Sequence, residues 1–281
     1  MLFGFGVQFH DEQIGTEASQ HAVFGMSQDF IHGEAVSPGW QWLVFVRVIV
    51  EVMLVGPKVI SQMLPPLLGV MVVAGIIAAG NRAMIKPSEF TPVTSELMKT
   101  MFASAFSEEE IAVVTGGPEV GQAFASLAFD HMIFTGATSI ARHVMRAAAE
   151  NLVPLTLELG GKSPVIIGNS ADLSVAAARI MNGKTLNAGQ ICLAPDYVLA
   201  PKDKVESFVT AAQASVSKMF PTIKDNPDYT SIVAQRHYDR IMGYVDDARA
   251  KGARIVELKP EGEDFSQQEH RKIPPTLILD P

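Results

Sequence analysis

From Gly69 onward, short apolar runs alternate with longer amphipathic ones, and this alternation limits the possible folds more than any other feature of the chain. The β-rich runs predict strands over 69–77, 83–86, 111–114, 131–134, 154–158 and 163–167. Between them, apolar positions at helical spacing predict helices over 92–106, 119–127, 138–150 and 172–183. A βαβα order of this kind builds a parallel α/β sheet with helices on its faces. Further elements follow Cys192: a strand over 197–200, helices over 202–219 and 235–251, a strand over 254–258 and a polar surface loop over 260–264. Residues 1–60 show no sustained period and no motif; they are read as a divergent leader with no assigned role.

The chain has 281 residues, 48% of them hydrophobic and 19% charged, which supports a sizeable core and excludes a disordered chain. A net charge of −8 with no basic cluster argues against nucleic acid as a partner. A single cysteine excludes an internal disulfide and fits a reducing, cytoplasmic compartment. The seven histidines have no HExxH or CxxC companion, so no metal site is expected. No basic stretch precedes the first apolar residues, so the N-terminus does not read as a signal peptide. Residues 59–81 carry no charge and are long enough to span a bilayer. Pro65 and Pro66 would break such a helix, Gly69, Gly75 and Gly80 would weaken it, and 69–77 reads better as a buried parallel strand.

Several residue groups carry chemistry. Lys86 and Glu89 lie at the C-terminal end of a strand, where ligands of open α/β sheets bind and where both side chains could reach a ribose. The simpler alternative is a solvated Lys and Glu in a loop. The turn from Phe134 to Ala141 joins a strand to a helix start, whose N–H groups and dipole favour a phosphate; capping by Thr138 is the competing account. A third glycine turn, Gly116 to Gly121, reads equally well as a plain βα loop. Cys192 alone would more often be an inert buried thiol. Glu158 ends an apolar strand, so it is expected to be partly buried, with a raised pKa suited to a general base. Gly160 and Gly161 then let the backbone approach a ligand.

Taken in order, these pieces resemble the aldehyde dehydrogenase superfamily over roughly residues 65–281. Ala78 to Pro92, with Ile85-Lys86-Pro87-Ser88-Glu89 inside it, is similar to that family's cofactor-ribose segment, and Phe134 to Ala141 to its pyrophosphate turn. Leu157 to Pro164 is similar to its general-base loop, and Asn187-Ala188-Gly189-Gln190-Ile191-Cys192 to its nucleophile loop, 34 residues (192 − 158) separating Glu158 from Cys192. The wording from Thr135 to Met145 is most similar to the coniferyl-aldehyde branch. The resemblance implies a Rossmann-like NAD(P)-binding domain over 61–158 followed by part of an α/β catalytic domain over 159–281.

The resemblance also implies that Cys192 is the nucleophile and Glu158 the base, with Lys86, Ser88, Glu89, Gly136, Ala137, Ile140 and Leu159 at the cofactor. NAD is the expected cofactor, with NADP left open by Lys86; a small-molecule aldehyde is the expected partner, and a homodimer only for a complete chain. Where the family often carries Ser and Gly, this chain has Ala137 and Ala141, so phosphate binding would rest on backbone N–H groups. The family's Pro-Trp-Asn segment is absent before Ala78, and its Glu-Ile-Phe-Gly-Pro motif does not occur before Pro281. Two functions therefore stand side by side: an NAD(P)-dependent aldehyde dehydrogenase, and a catalytically dead α/β domain that retains dinucleotide binding or a subunit-interaction role.

Overall fold

The computed structural model describes the backbone of residues 3–8 and all of residues 72–280. Contacts divide the chain into two compact units, Met1–Leu159 and Gly160–Pro281.

Unit 1 is built on a five-stranded sheet of β1 (Phe3–Gln8), β2 (Arg82–Lys86), β3 (Ile111–Val113), β4 (His131–Gly136) and β5 (Leu155–Leu159), in the order β3-β2-β1-β4-β5. The pairs β2/β3 and β4/β5 are parallel, but β1 runs antiparallel to both β2 and β4. The predicted strands β2 to β5 thus all point the same way, as the sequence reading expects; the departure is β1, an antiparallel strand in a stretch read without one. Phe3, Phe5 and Val7 alternate over too short a run to name partners, and the place of β1 depends on strands far away in sequence.

A second correction concerns the apolar run expected as a strand over 69–77. Residues 72–78 form a helix, α1, and residues 69–71 lie outside the described residues. A continuous apolar run does not distinguish a buried helix from a buried strand. Here Val73 and Ile76, one turn apart, are buried with Ala83, Ile85, Met98, Phe102 and Ile111. Gly80 (φ 76°) ends the helix: its N–H donates to the Ile77 carbonyl and the Asn81 N–H to that of Ile76, the two bonds of a Schellman cap. Of the uncharged segment 59–81, residues 59–71 lie outside the described residues, and no described helix is long and apolar enough to cross a membrane.

The remaining helices follow their sequence periods. Helix α2 (Pro92–Ala103) begins on a proline that needs no N–H partner and buries Met98 and Phe102 against β2 and β3. Helix α3 (Pro118–Ala125) begins the same way. Helix α4 (Thr138–Ala149) turns Ala141, Val144 and Ala148 onto Met132 and Phe134 of β4.

Unit 2 contains β6 (Ser163–Ile166) parallel to β7 (Pro195–Leu199), and β8 (Arg254–Glu257) antiparallel to β9 (Thr276–Leu279). Its helices are α5 (Leu173–Thr185), α6 (Val205–Met219) and α7 (Gln235–Ala250). Asp172 caps α5 by accepting the N–H groups of Ser174 and Val175, at 2.9 and 3.1 Å. Ala177, Ile180 and Met181 of α5 meet Phe208, Ala212 and Val216 of α6 in the core, with Ile223, Tyr229 and Leu258. The 260–264 loop does more than face water: the Glu263 carboxylate accepts the N–H groups of Ile223 (2.9 Å) and Lys224 (3.3 Å). The buried Lys272 ammonium donates to the carbonyls of Ile223 and Asn226.

Candidate active site

The β2–α2 connection holds the first group. Lys86 is buried, only 5% exposed, and its Nζ meets the Glu89 carboxylate at 3.0 Å. This excludes the solvated Lys and Glu alternative. Removing the ammonium from water is tolerable because the carboxylate compensates it at short range. Ser88 is buried as well: its Oγ accepts the Phe90 N–H at 3.2 Å, and its carbonyl accepts the Ser95 hydroxyl at 3.0 Å. The Ser88 hydroxyl thus shapes the loop that presents Lys86 and Glu89. Gly121 of α3 lies beside the lysine, where an added Cβ would sit 3.8 Å from Lys86 Cε.

The β4–α4 turn is the second group. Gly136 ends β4 and Ala137, extended at φ −75° and ψ 140°, is the N-cap of α4 with no side-chain hydrogen bond. Thr138 is the first residue inside the helix, so the capping account is not followed. No acidic residue stands in the first turn of α4 to offset the positive end of the helix dipole. Ile140 stands exposed on this turn, and Leu159, the last residue of β5, is half-buried. The third glycine turn is different in kind. Glu119, in the first turn of α3, accepts the Gly117 N–H at 3.2 Å, placing a carboxylate where a phosphate would have to sit. Gly116 and Gly117 are thus a βα turn that leads into α3, whose first turn runs on to Gly121.

Glu158 lies on β5, where Thr135 is its register partner on β4. Contrary to expectation it is exposed, because alternate residues of β5 face outward and only Leu155, Leu157 and Leu159 turn toward the core. The burial on which the raised-pKa argument rested is absent.

The thiol of Cys192 is exposed, which removes the inert-core account of it. It follows an unusual turn. After α5, a short 3₁₀ segment covers Leu186–Gly189, in which Asn187 (φ 51°), Ala188 (φ 53°) and Gly189 (φ 76°) are successively left-handed. Two of these are not glycine, and each costs about 1–2 kcal/mol that the surroundings must hold. Gln190 holds it. Its Nε2 donates to the carbonyls of Asn187 and Ser231, each at 3.0 Å, and its Oε1 accepts the Val233 N–H at 3.0 Å. Asn187 closes the turn by donating from Nδ2 to the Gln190 carbonyl at 3.2 Å. Gly189 packs on Lys184, whose backbone carbonyl would lie 3.2 Å from an added Cβ. Burial lowers the pKa of the Lys184 ammonium, Asp196 opposes that shift and Lys162 adds to it. Gly161 sits against the same loop, an added Cβ coming to 4.0 Å from the Cys192 carbonyl.

Lys86, Ser88, Glu89, Gly136, Ala137, Ile140, Glu158 and Leu159 thus belong to unit 1 and Cys192 to unit 2. Gln190 stands inside the Asn187–Cys192 stretch, but the sequence assigns it no role. Its partners, Ser231 and Val233, lie more than 40 residues away in sequence.

The aldehyde dehydrogenase family profile matches residues 63–281. The chain belongs to the aldehyde dehydrogenase family. A probable coniferyl aldehyde dehydrogenase of Caulobacter vibrioides is 78% identical over 208 residues, covering 74% of this chain and 43% of that protein. The coniferyl aldehyde dehydrogenase of a Pseudomonas species is 56% identical over 73% of this chain and 43% of its own length. Among solved structures, a substrate-bound state of Staphylococcus aureus AldH is similar at a TM-score of 0.66 and 38% identity, over 74% of this chain and 43% of that one. An NAD+ complex of a Mycobacterium tuberculosis aldehyde dehydrogenase is similar at 0.60 and 33%, over 70% of this chain and 41% of that one. This aldehyde dehydrogenase chain therefore spans less than half the length of these curated relatives.

Proposed function

We propose that this chain carries the nucleophile and cofactor-binding parts of a site that oxidises an aldehyde, of the aromatic coniferyl type, to its carboxylic acid with NAD. The observation that carries this reading is Cys192: an exposed thiol set behind three left-handed residues and a glutamine bonded three times to backbone. The coniferyl aldehyde named for the two relatives supports the substrate class.

The dinucleotide fits features of unit 1. The uncapped first turn of α4 at Ala137 and Thr138 offers backbone N–H groups to a pyrophosphate. The Lys86–Glu89 pair, with Ser88 shaping its loop, offers a donor and an acceptor to a ribose, while Ile140 and Leu159 offer apolar contact. When bound, NAD supplies the hydride acceptor.

The chain's own residues do the rest. The Cys192 thiolate adds to the aldehyde carbon, and the carbonyl π pair moves to oxygen, giving a thiohemiacetal. Oxidation at that carbon leaves a thioester. The Glu158 carboxylate takes a proton from water as the water oxygen adds to the thioester carbonyl, and the thiolate departs with the acid released. Glu158 suits this role by facing solvent near the end of a strand, where water can reach it. The lone cysteine is in keeping with a cytoplasmic location.

The experiment is aldehyde-dependent NADH formation followed to a full equivalent of protein, with Cys192→Ala in parallel. The expected result is slow NADH formation that the Cys192→Ala variant lacks. NAD binding without any Cys192-dependent NADH would favour the dinucleotide-binding, catalytically dead alternative.

A further inference from the structure

β1 is the only described strand that joins the two halves of the unit 1 sheet. β2 pairs outward with β3 and β4 pairs outward with β5, and β2 and β4 are not neighbours. All five residues of β2 pair with Gly4–Gln8, and β4 pairs from His131 to Thr135 with residues 3–7. Because β1 is antiparallel to both, the other four strands all point the same way.

The halves are local constructions. Residues 82–113 make one βαβ pair through α2, and residues 131–159 make the other through α4. Between β2 and β4 lies a slot one strand wide, about 10 Å from strand to strand. Its two walls are rows of backbone N–H and C=O groups that require partners. An antiparallel occupant needs no helical crossover to reach its place, unlike a parallel one. It has only to be extended and to run opposite to the walls. In this chain 73 residues (82 − 8 − 1) separate it from β2, so the pair is not a short-looped hairpin whose turn would set the register.

We propose that the slot between β2 and β4 is a strand-acceptor site, a binding site for one extended peptide segment, and that residues 3–8 are its detachable occupant. Recognition is by main-chain hydrogen bonds on both edges at once, a two-sided form of strand addition. The tether only raises the occupant's effective concentration, so the same segment supplied as a free peptide competes for the slot.

The test uses the full chain carrying Phe5→Pro, because a proline inside a central strand removes a ladder donor and clashes with the neighbouring strand. Hydrogen exchange at β2 and β4 amides is expected to rise at least about a hundredfold in this variant. A synthetic peptide of residues 1–10 should then bind one to one and restore protection to those amides, while a peptide carrying the same proline should not. Unchanged exchange in the variant, or no restoration by the native peptide, would overturn the proposal.

Should Phe5→Pro fail to fold, paired cysteines in a Cys192→Ser background test the occupant directly. Val7 and Ala83 are register partners, so Val7→Cys with Ala83→Cys should cross-link on mild oxidation. Val7→Cys with Met84→Cys, one residue out of register and facing the opposite side, should not. Absence of the first cross-link, or equal yields of both, would also overturn the proposal.

Discussion

Replacing Gln190 by alanine removes three hydrogen bonds that tie the Cys192 loop to backbone, all at 3.0 Å. Bonds of this kind contribute about 0.5–1.5 kcal/mol each, and the site is only part-buried, so water recovers some of the loss. The net effect on local opening should be about 2 kcal/mol, close to a thirtyfold change in the opening equilibrium. The left-handed residues Asn187 and Ala188 add to it, because the strain that the clamp holds is then free to relax. The assay is amide hydrogen exchange at Val233, whose N–H donates to Gln190 Oε1, read together with the alkylation rate of Cys192. Val233 should exchange about thirtyfold faster. Gln190→Met fills the same space without polar atoms and should behave like alanine. If the methionine variant protects Val233 as the parent does, the clamp is packing rather than hydrogen bonding, and the reasoning fails.

Three other expectations follow from the same contacts. In unit 1, NAD should bind more tightly than NADP, since Glu89 can accept from a ribose hydroxyl but repels a phosphate; equilibrium binding of both nucleotides checks this, and Glu89→Gln should narrow the difference. In unit 2, burial holds the Tyr229 phenol above its ordinary value of 10.0, with its O–H donating to the Ile273 carbonyl at 2.7 Å. The unfolded chain therefore loses this proton first, and stability should fall by about 1.4 kcal/mol per pH unit above pH ~10. Denaturant melts should show that Tyr229→Phe removes this component; Lys272, lowered by burial, has the opposite slope in both proteins and cancels in the difference. Finally, residues 1–281 should turn over aldehyde about 10²–10³-fold more slowly than a full-length relative, because the Pro-Trp-Asn segment, whose asparagine the family resemblance casts as an oxyanion donor, is absent from the sequence. Steady-state NADH formation tests that.

What was legible in the sequence is local. Helices such as α4 and α6 declare themselves because their buried residues recur at helical spacing, and strands such as β4 alternate with them at short intervals. The order of the site motifs was legible because each lies within one turn. Two things were not. Residues 72–78 are apolar on every side, so only packing against Ile85 and Phe102 decides that they are helical. β1 pairs with strands about 80 and 130 residues away, and nothing within six residues indicates that. The exposure of Glu158, by contrast, follows from the alternation Leu155-Thr156-Leu157-Glu158-Leu159, which sets Glu158 on the face opposite the three leucines; the expectation of burial weighed the apolar strand above its period.

The central claim is that Cys192 forms a covalent bond to the aldehyde carbon, and mass spectrometry of the Cys192 peptide tests it most directly. Protein carrying Glu158→Gln is incubated with NAD and coniferyl aldehyde, then quenched in acid and digested. With hydrolysis impaired, the acyl group should accumulate as a thioester on the Cys192 peptide, in step with NADH, and should be absent without NAD. NADH formation with an unmodified Cys192, or an acyl group carried elsewhere, would contradict the account.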